Sequence, residues 1–195
     1  SEFARDCLEA LALERHRTAR SAVAGSGFAR SSASSTEWAS VLSDYETLLR
    51  DWPMDRTASR WRFLAGEAAA QGGGYDEAQV HYREAARDDT ASFAREAAWQ
   101  VVAVCDAAYE SARSGEAADI PARSARAKNL LEEARHFRET HPEDGHHGDL
   151  LLREAEVAER EGKHACAVEA LTSFTARHDK DARIGPAYLQ WARIE

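Results

Sequence analysis

Gly73-Gly74-Tyr75-Asp76-Glu77-Ala78-Gln79-Val80-His81-Tyr82-Arg83-Glu84-Ala85 decides the fold, because a second stretch, Gly162-Lys163-His164-Ala165-Cys166-Ala167-Val168-Glu169-Ala170-Leu171-Thr172-Ser173-Phe174, repeats its frame. Gly73, Tyr75, Ala78, Tyr82 and Ala85 stand at the same offsets as Gly162, His164, Ala167, Leu171 and Phe174. Apolar residues at steps of three and four lie on one face of a helix, the face that must be buried. The glycine just ahead of each run supplies a tight turn. Two weaker copies keep the frame: Thr36, Trp38, Val41, Tyr45, Leu48, and Ala125, Ala127, Leu130, Ala134, Phe137. A stop follows each copy at one distance, at Pro53, Thr90, Pro142 and Asp179.

Equivalent positions recur about every 37 residues from Leu48 to Ala85 and from Phe137 to Phe174, with a middle interval of about 52. The excess falls in Ser111–Arg126, where Ser-Gly-Glu-Ala-Ala-Asp-Ile-Pro reads as an elongated loop. Upstream of the strong copies run helices with small residues: Trp61, Ala65, Gly66 and Ala69 before the first, Leu151, Ala155 and Ala158 before the second. Gly66 or Ala155 in mid-helix makes sense where a neighbouring helix crosses at close range. The unit is therefore a pair of antiparallel helices.

Composition agrees with this. The chain has 195 residues, 44% hydrophobic and 30% charged, and about a fifth is alanine, the best helix former. Valine and isoleucine are sparse, which disfavours strands. No apolar run approaches the ~18 residues of a membrane span, so no membrane insertion is expected. A net charge of −9 disfavours nucleic acid and anionic lipid, and points to protein or peptide partners. Cys7, Cys105 and Cys166 are odd in number and far apart, so neither a disulfide framework nor a CxxC metal pair is present. Cys105 and Cys166 are expected to fill small sites between helices. Ser1-Glu2-Phe3, with no Met, reads as a remnant joined to an excised fragment.

The quoted residues resemble the tetratricopeptide repeat. Trp61…Leu64-Ala65-Gly66…Gly73-Gly74-Tyr75-Asp76-Glu77-Ala78…Tyr82…Ala85 matches its turn and second-helix pattern, and Leu151…Ala155…Gly162…His164…Ala167…Phe174 is a second match with His164 in the Tyr position. Tyr188…Trp191-Ala192 resembles the first helix of a further unit. The resemblance implies an all-α superhelix, or solenoid, of antiparallel helix pairs. Residues 1–35 would form an N-terminal helix and a Ser/Gly-rich flexible loop, and 36–195 an array of about four units. The closing Phe137-x-x-x-His141-Pro142 is also similar to repeats of bacterial outer-membrane assembly lipoproteins and Tol-Pal coordinator proteins, which implies a periplasmic or envelope location.

In the tetratricopeptide family the first helices line a concave groove that takes a peptide. Carried onto this chain, that groove has Arg60, Phe63, Glu67 and Gln71 in the second unit, Arg95 and Trp99 in the third, and Asp149, Leu152, Glu156 and Arg160 in the fourth. The same residues admit a plainer role, Phe63 and Trp99 as packing and the charges as a solvated face. The expected function is a scaffold or adaptor that binds a protein or peptide, with an envelope assembly role as the alternative and a metal-binding sensor through the His141–Asp149 loop as a second alternative. Self-association through the C-terminal repeat end is a further expectation, because no polar capping helix follows Trp191. Asn129 is the single asparagine, so the family's carboxylate clamp for chaperone tails is not expected.

No enzyme and no cofactor are expected, since the chain has no His-Glu-x-x-His, Gly-x-Ser-x-Gly or phosphate-binding loop. Gly72-Gly73-Gly74 precedes a helix, yet Asp76 and Glu77 would repel an anion there. His141-Pro142-Glu143-Asp144-Gly145-His146-His147-Gly148-Asp149 is dense in imidazole and carboxylate, the donors of a metal sensor. Its spacing fits no metal motif and its Pro-Glu-Asp-Gly is turn chemistry, so it reads as an inter-repeat loop and no metal ligand is assigned.

Overall fold

The computed structural model describes residues 1–25, 32–88, 91–114 and 119–194. They form helices α1 (Glu2–Gly25), α2 (Ser32–Asp51), α3 (Ala58–Gly72), α4 (Tyr75–Ala86), α5 (Ala94–Ser114), α6 (Ile120–Thr140), α7 (His147–Arg160), α8 (His164–Arg177) and α9 (Ile184–Ile194). There is no strand among the described residues, so the all-α expectation holds. No helix among them is long and apolar enough to cross a membrane. Residues 26–31 of the expected flexible stretch, and the stop at Thr90, lie outside the described residues.

The chain divides into two compact units, Ser1–Val104 and Cys105–Glu195. In the first, Ala12 and Ala19 of α1 pack with Trp38, Val41, Tyr45 and Leu48 of α2 and with Trp61, Ala65 and Ala68 of α3. The alanines let helix axes approach while Trp38 and Trp61, both almost fully buried, fill the space beside them. The Trp61 indole N–H donates to Glu9 Oε1 at 3.0 Å, so its polar end is satisfied. Tyr82 of α4 lies against the backbone of Gly66: a Cβ there would stand 2.8 Å from a ring carbon. The mid-helix glycine is thus a packing requirement.

In the second unit Leu151 and Ala155 of α7, Ala170, Leu171 and Phe174 of α8, and Ala187 of α9 form one cluster. The Glu161 side chain, 3% exposed, ends α7 and accepts from Tyr109 Oη at 3.2 Å and Ser124 Oγ at 2.9 Å, with Arg123 Nε 2.8 Å away. One buried carboxylate therefore ties α5, α6 and α7 together. Arg138 donates twice to the buried Glu154, at 2.6 and 2.9 Å.

The frame read from the sequence carries three-dimensional signatures. Gly73 and Gly162 are the two glycines with left-handed backbones among the described residues, φ 86 and 71. The turns entering α3, α7 and α9 are also alike. In each, an aspartate (Asp55, Asp144, Asp181) donates its N–H three residues back, and its side chain accepts the N–H two residues on, from Thr57, His146 and Arg183. Phe137 stacks on His141 at 4.7 Å and Phe174 on His178 at 5.3 Å, a closing contact that repeats with the frame.

Two expectations are corrected. The elongated loop at Ser111–Arg126 is mostly helix: α5 runs to Ser114 and α6 starts at Ile120. Pro121 sits in the first turn of α6 and Asp119 caps it, accepting from Ala122 N at 3.1 Å, so the proline starts a helix. The excess residues lengthen α5 and α6 to 21 residues each. Cys105 is buried, with Asn129 Nδ2 3.4 Å from its sulfur, but Cys166 is exposed and fills no site between helices.

Candidate functional site

Two clefts lie along faces of odd-numbered helices, one inside each unit. The first, about 580 Å³, is lined by Leu13, His16, Arg17, Arg20 and Ser21 of α1 and by Arg60 and Leu64 of α3. His16 is 4% exposed. Its Nδ1 is 3.2 Å from Tyr45 Oη, its ring meets Trp38 edge-on, and its Nε2 has no hydrogen-bond partner. Glu67 Oε2 is 3.7 Å from Nε2, too far for a hydrogen bond. Burial, with Arg20 adding to it, pushes the imidazole down to about 4. Burial raises Glu67, against the pull of Arg20. Burial also keeps the Tyr45 phenol protonated far above neutral pH.

The second cleft, about 800 Å³, runs between α7 and α9. Asp149, Leu152, Arg153, Glu156, Glu159 and Arg160 line one wall, and Arg183, Pro186, Ala187, Gln190 and Arg193 the other. Its charges are already joined: Arg183 to Asp149 and Arg193 to Glu159 across the cleft, each at 2.5 Å, and Arg160 to Glu156 along α7 at 2.5 Å. Arg153 bridges Asp106, Glu110 and Glu156, and these hydrogen bonds outweigh its partial burial and raise its pKa. The lining carries four arginines and three carboxylates, with Leu152 and Ala187 as apolar contacts.

The residues predicted from the sequence fall as follows. Leu152, Glu156 and Arg160 come together in the second cleft with Asp149. Arg60 lines the first cleft and Glu67 stands beside it at His16. Phe63 turns the other way, its ring 5.5 Å from those of both Tyr82 and Phe93. Gln71 is exposed near the end of α3, while Arg95 is exposed and Trp99 half-buried on α5, outside both clefts. Sequence reasoning missed His16, which lies on a helix with no partner copy in the repeat frame.

Glu46 of α2 with Glu77 and His81 of α4 could hold a divalent cation, their ligand atoms lying within 4.8 Å of one another. Burial, then the Glu77 carboxylate, raises Glu46, and burial lowers His81. The i, i+4 spacing of Glu77 and His81 was the available sequence signal. Two of these groups are exposed carboxylates, and nothing else at the position points to an ion. In the His141–Asp149 segment the imidazoles diverge. His141 stacks on Phe137, His146 Nδ1 sits 2.7 Å from Asp144, and buried His147 meets His178 at 3.2 Å.

No protein-family model and no curated protein sequence matches the chain.

Proposed function

We propose that this chain is a protein–protein interaction module, a scaffold or adaptor whose odd-numbered helices present clefts to an extended segment of a partner. The observation that carries the reading is the α7–α9 cleft, lined by Leu152, Glu156 and Arg160, the residues the tetratricopeptide frame assigns to the groove. Its mixed charge and apolar contacts suit peptide recognition, in which a few side chains carry most of the binding energy. A cleft beside odd-numbered helices in each unit, the paired left-handed glycines and the recurring aspartate turns support a tetratricopeptide-like arrangement within each unit. The repeated Phe–His stacks favour, as a second reading, a repeat of the envelope assembly type.

Panning a random peptide phage library against the chain tests the first reading. Synthetic copies of enriched peptides should bind the wild type and lose at least tenfold in affinity with Leu152→Glu or Arg60→Glu. Enriched peptides that bind both variants as well as wild type would refute it.

A further inference from the structure

The α1–α3 cleft differs from its counterpart in charge. Arg17, Arg20 and Arg60 are among its described lining residues and no carboxylate is, with Glu67 standing beside it at His16, on a chain of net charge −9. Arg17 is paired with the exposed Glu14, and Arg20 Nη1 is 4.0 Å from Glu67. Arg60 makes no ion pair among the described residues. At the wall stands His16, 96% buried, with Nε2 unmatched. Tyr45 Oη lies 3.2 Å from Nδ1, and either group can donate in that bond. Nε2 faces Glu67 Oε2 across 3.7 Å, a separation that leaves its hydrogen bond unmade, and it is enclosed against solvent behind the arginines. Leu13 and Leu64 add apolar contact on the same walls.

We propose that this cleft receives an acidic segment of a partner protein, its carboxylates met by Arg20 and Arg60. The assignment rests on the peptide-binding reading above and names the partner's chemistry. Guanidinium–carboxylate bonds are charge-assisted and directional, which favours such a segment over an apolar one. The volume, about 580 Å³, lies within the range of pockets that hold a few side chains.

The test is fluorescence anisotropy with three labelled ten-residue peptides alternating Leu with Glu, Gln or Lys. The Glu peptide should bind most tightly and weaken when NaCl is raised from 50 to 300 mM. Arg20→Gln and Arg60→Gln, both exposed, should each weaken it about tenfold, whereas Arg50→Gln on α2 should not. Preference for the Lys or Gln peptide, with loss in the arginine variants, would overturn the acidic assignment and leave peptide binding standing. Binding of no peptide, here and from the phage library, would overturn both. Displacement of the Glu peptide by 1 mM inorganic phosphate or free glutamate would show a small-anion site and refute the peptide occupant.

Discussion

Exchanging one packed pair between the units probes the repeat equivalence quantitatively. Gly66 and Tyr82 of the first unit stand where Ala155 and Leu171 stand in the second, 89 positions on, and all four are buried. A Cβ at Gly66 would lie 2.8, 2.9 and 3.0 Å from three ring carbons of Tyr82. Carbon pairs are comfortable near 3.5–4.0 Å, so the ring must retreat by roughly 0.7 Å. Tyr82 is itself held edge-on by Phe63 at 5.5 Å. Overpacking of this kind costs about 1–3 kcal/mol, while alanine regains about 1 kcal/mol of helix propensity. Gly66→Ala should therefore destabilise by about 1 kcal/mol, and Tyr82→Leu, which opens a cavity, by about 2–4 kcal/mol. The double variant installs the pair used by α7 and α8 and should recover at least about 1 kcal/mol relative to the sum. Urea denaturation followed by circular dichroism at 222 nm measures all four corners. Additive losses, or a more stable Gly66→Ala, would refute the close approach of α3 and α4.

Four further outcomes follow. His16 has a folded pKa of about 4 against an ordinary 6.5, so the unfolded chain binds the extra proton between these values. Stability should thus rise with pH from 4 to 6.5, by up to about 3 kcal/mol, and level off above; urea melts across pH should show this slope, and His16→Gln should flatten it. Glu161→Ala strands Tyr109, Ser124 and Arg123 inside the second unit and should cost about 3 kcal/mol by denaturant titration. Gly73→Ala and Gly162→Ala, both at positive φ, should each cost about 1 kcal/mol, with asparagine costing less. Trp61→Phe leaves Glu9 without its indole donor and opens space in a fully buried site; a loss of about 2–3 kcal/mol is expected by thermal melting.

The helix pairs were legible in the sequence because their signals are local. Gly73 and Gly162 need a backbone that other residues resist, and Ala78, Tyr82 and Ala85 mark a stripe with helical period. The loop expected at Ser111–Arg126 was misread because Pro121 can end a helix or begin one. The capping bond of Asp119, which decides between the two, is a three-dimensional fact. The aspartate turns at Asp55, Asp144 and Asp181 recur in the sequence but are masked by different neighbours. Of the predicted groove residues, Leu152, Glu156 and Arg160 share a cleft because they lie at i, i+4 and i+8 on α7. Phe63 has the same periodicity on α3, yet its ring is drawn to Tyr82 and Phe93. His16 was invisible because its meaning depends on Tyr45 and Glu67, far along the chain.

Amide chemical-shift mapping with a phage-selected peptide tests the central claim most directly. Shifts concentrated at Leu13, His16, Arg20, Arg60 and Leu64, or at Leu152, Glu156, Arg160 and Ala187, are the predicted result. Shifts concentrated on α4 and α8, at Val80, Glu84, Glu169 and Thr172, would contradict recognition through the odd-numbered helices.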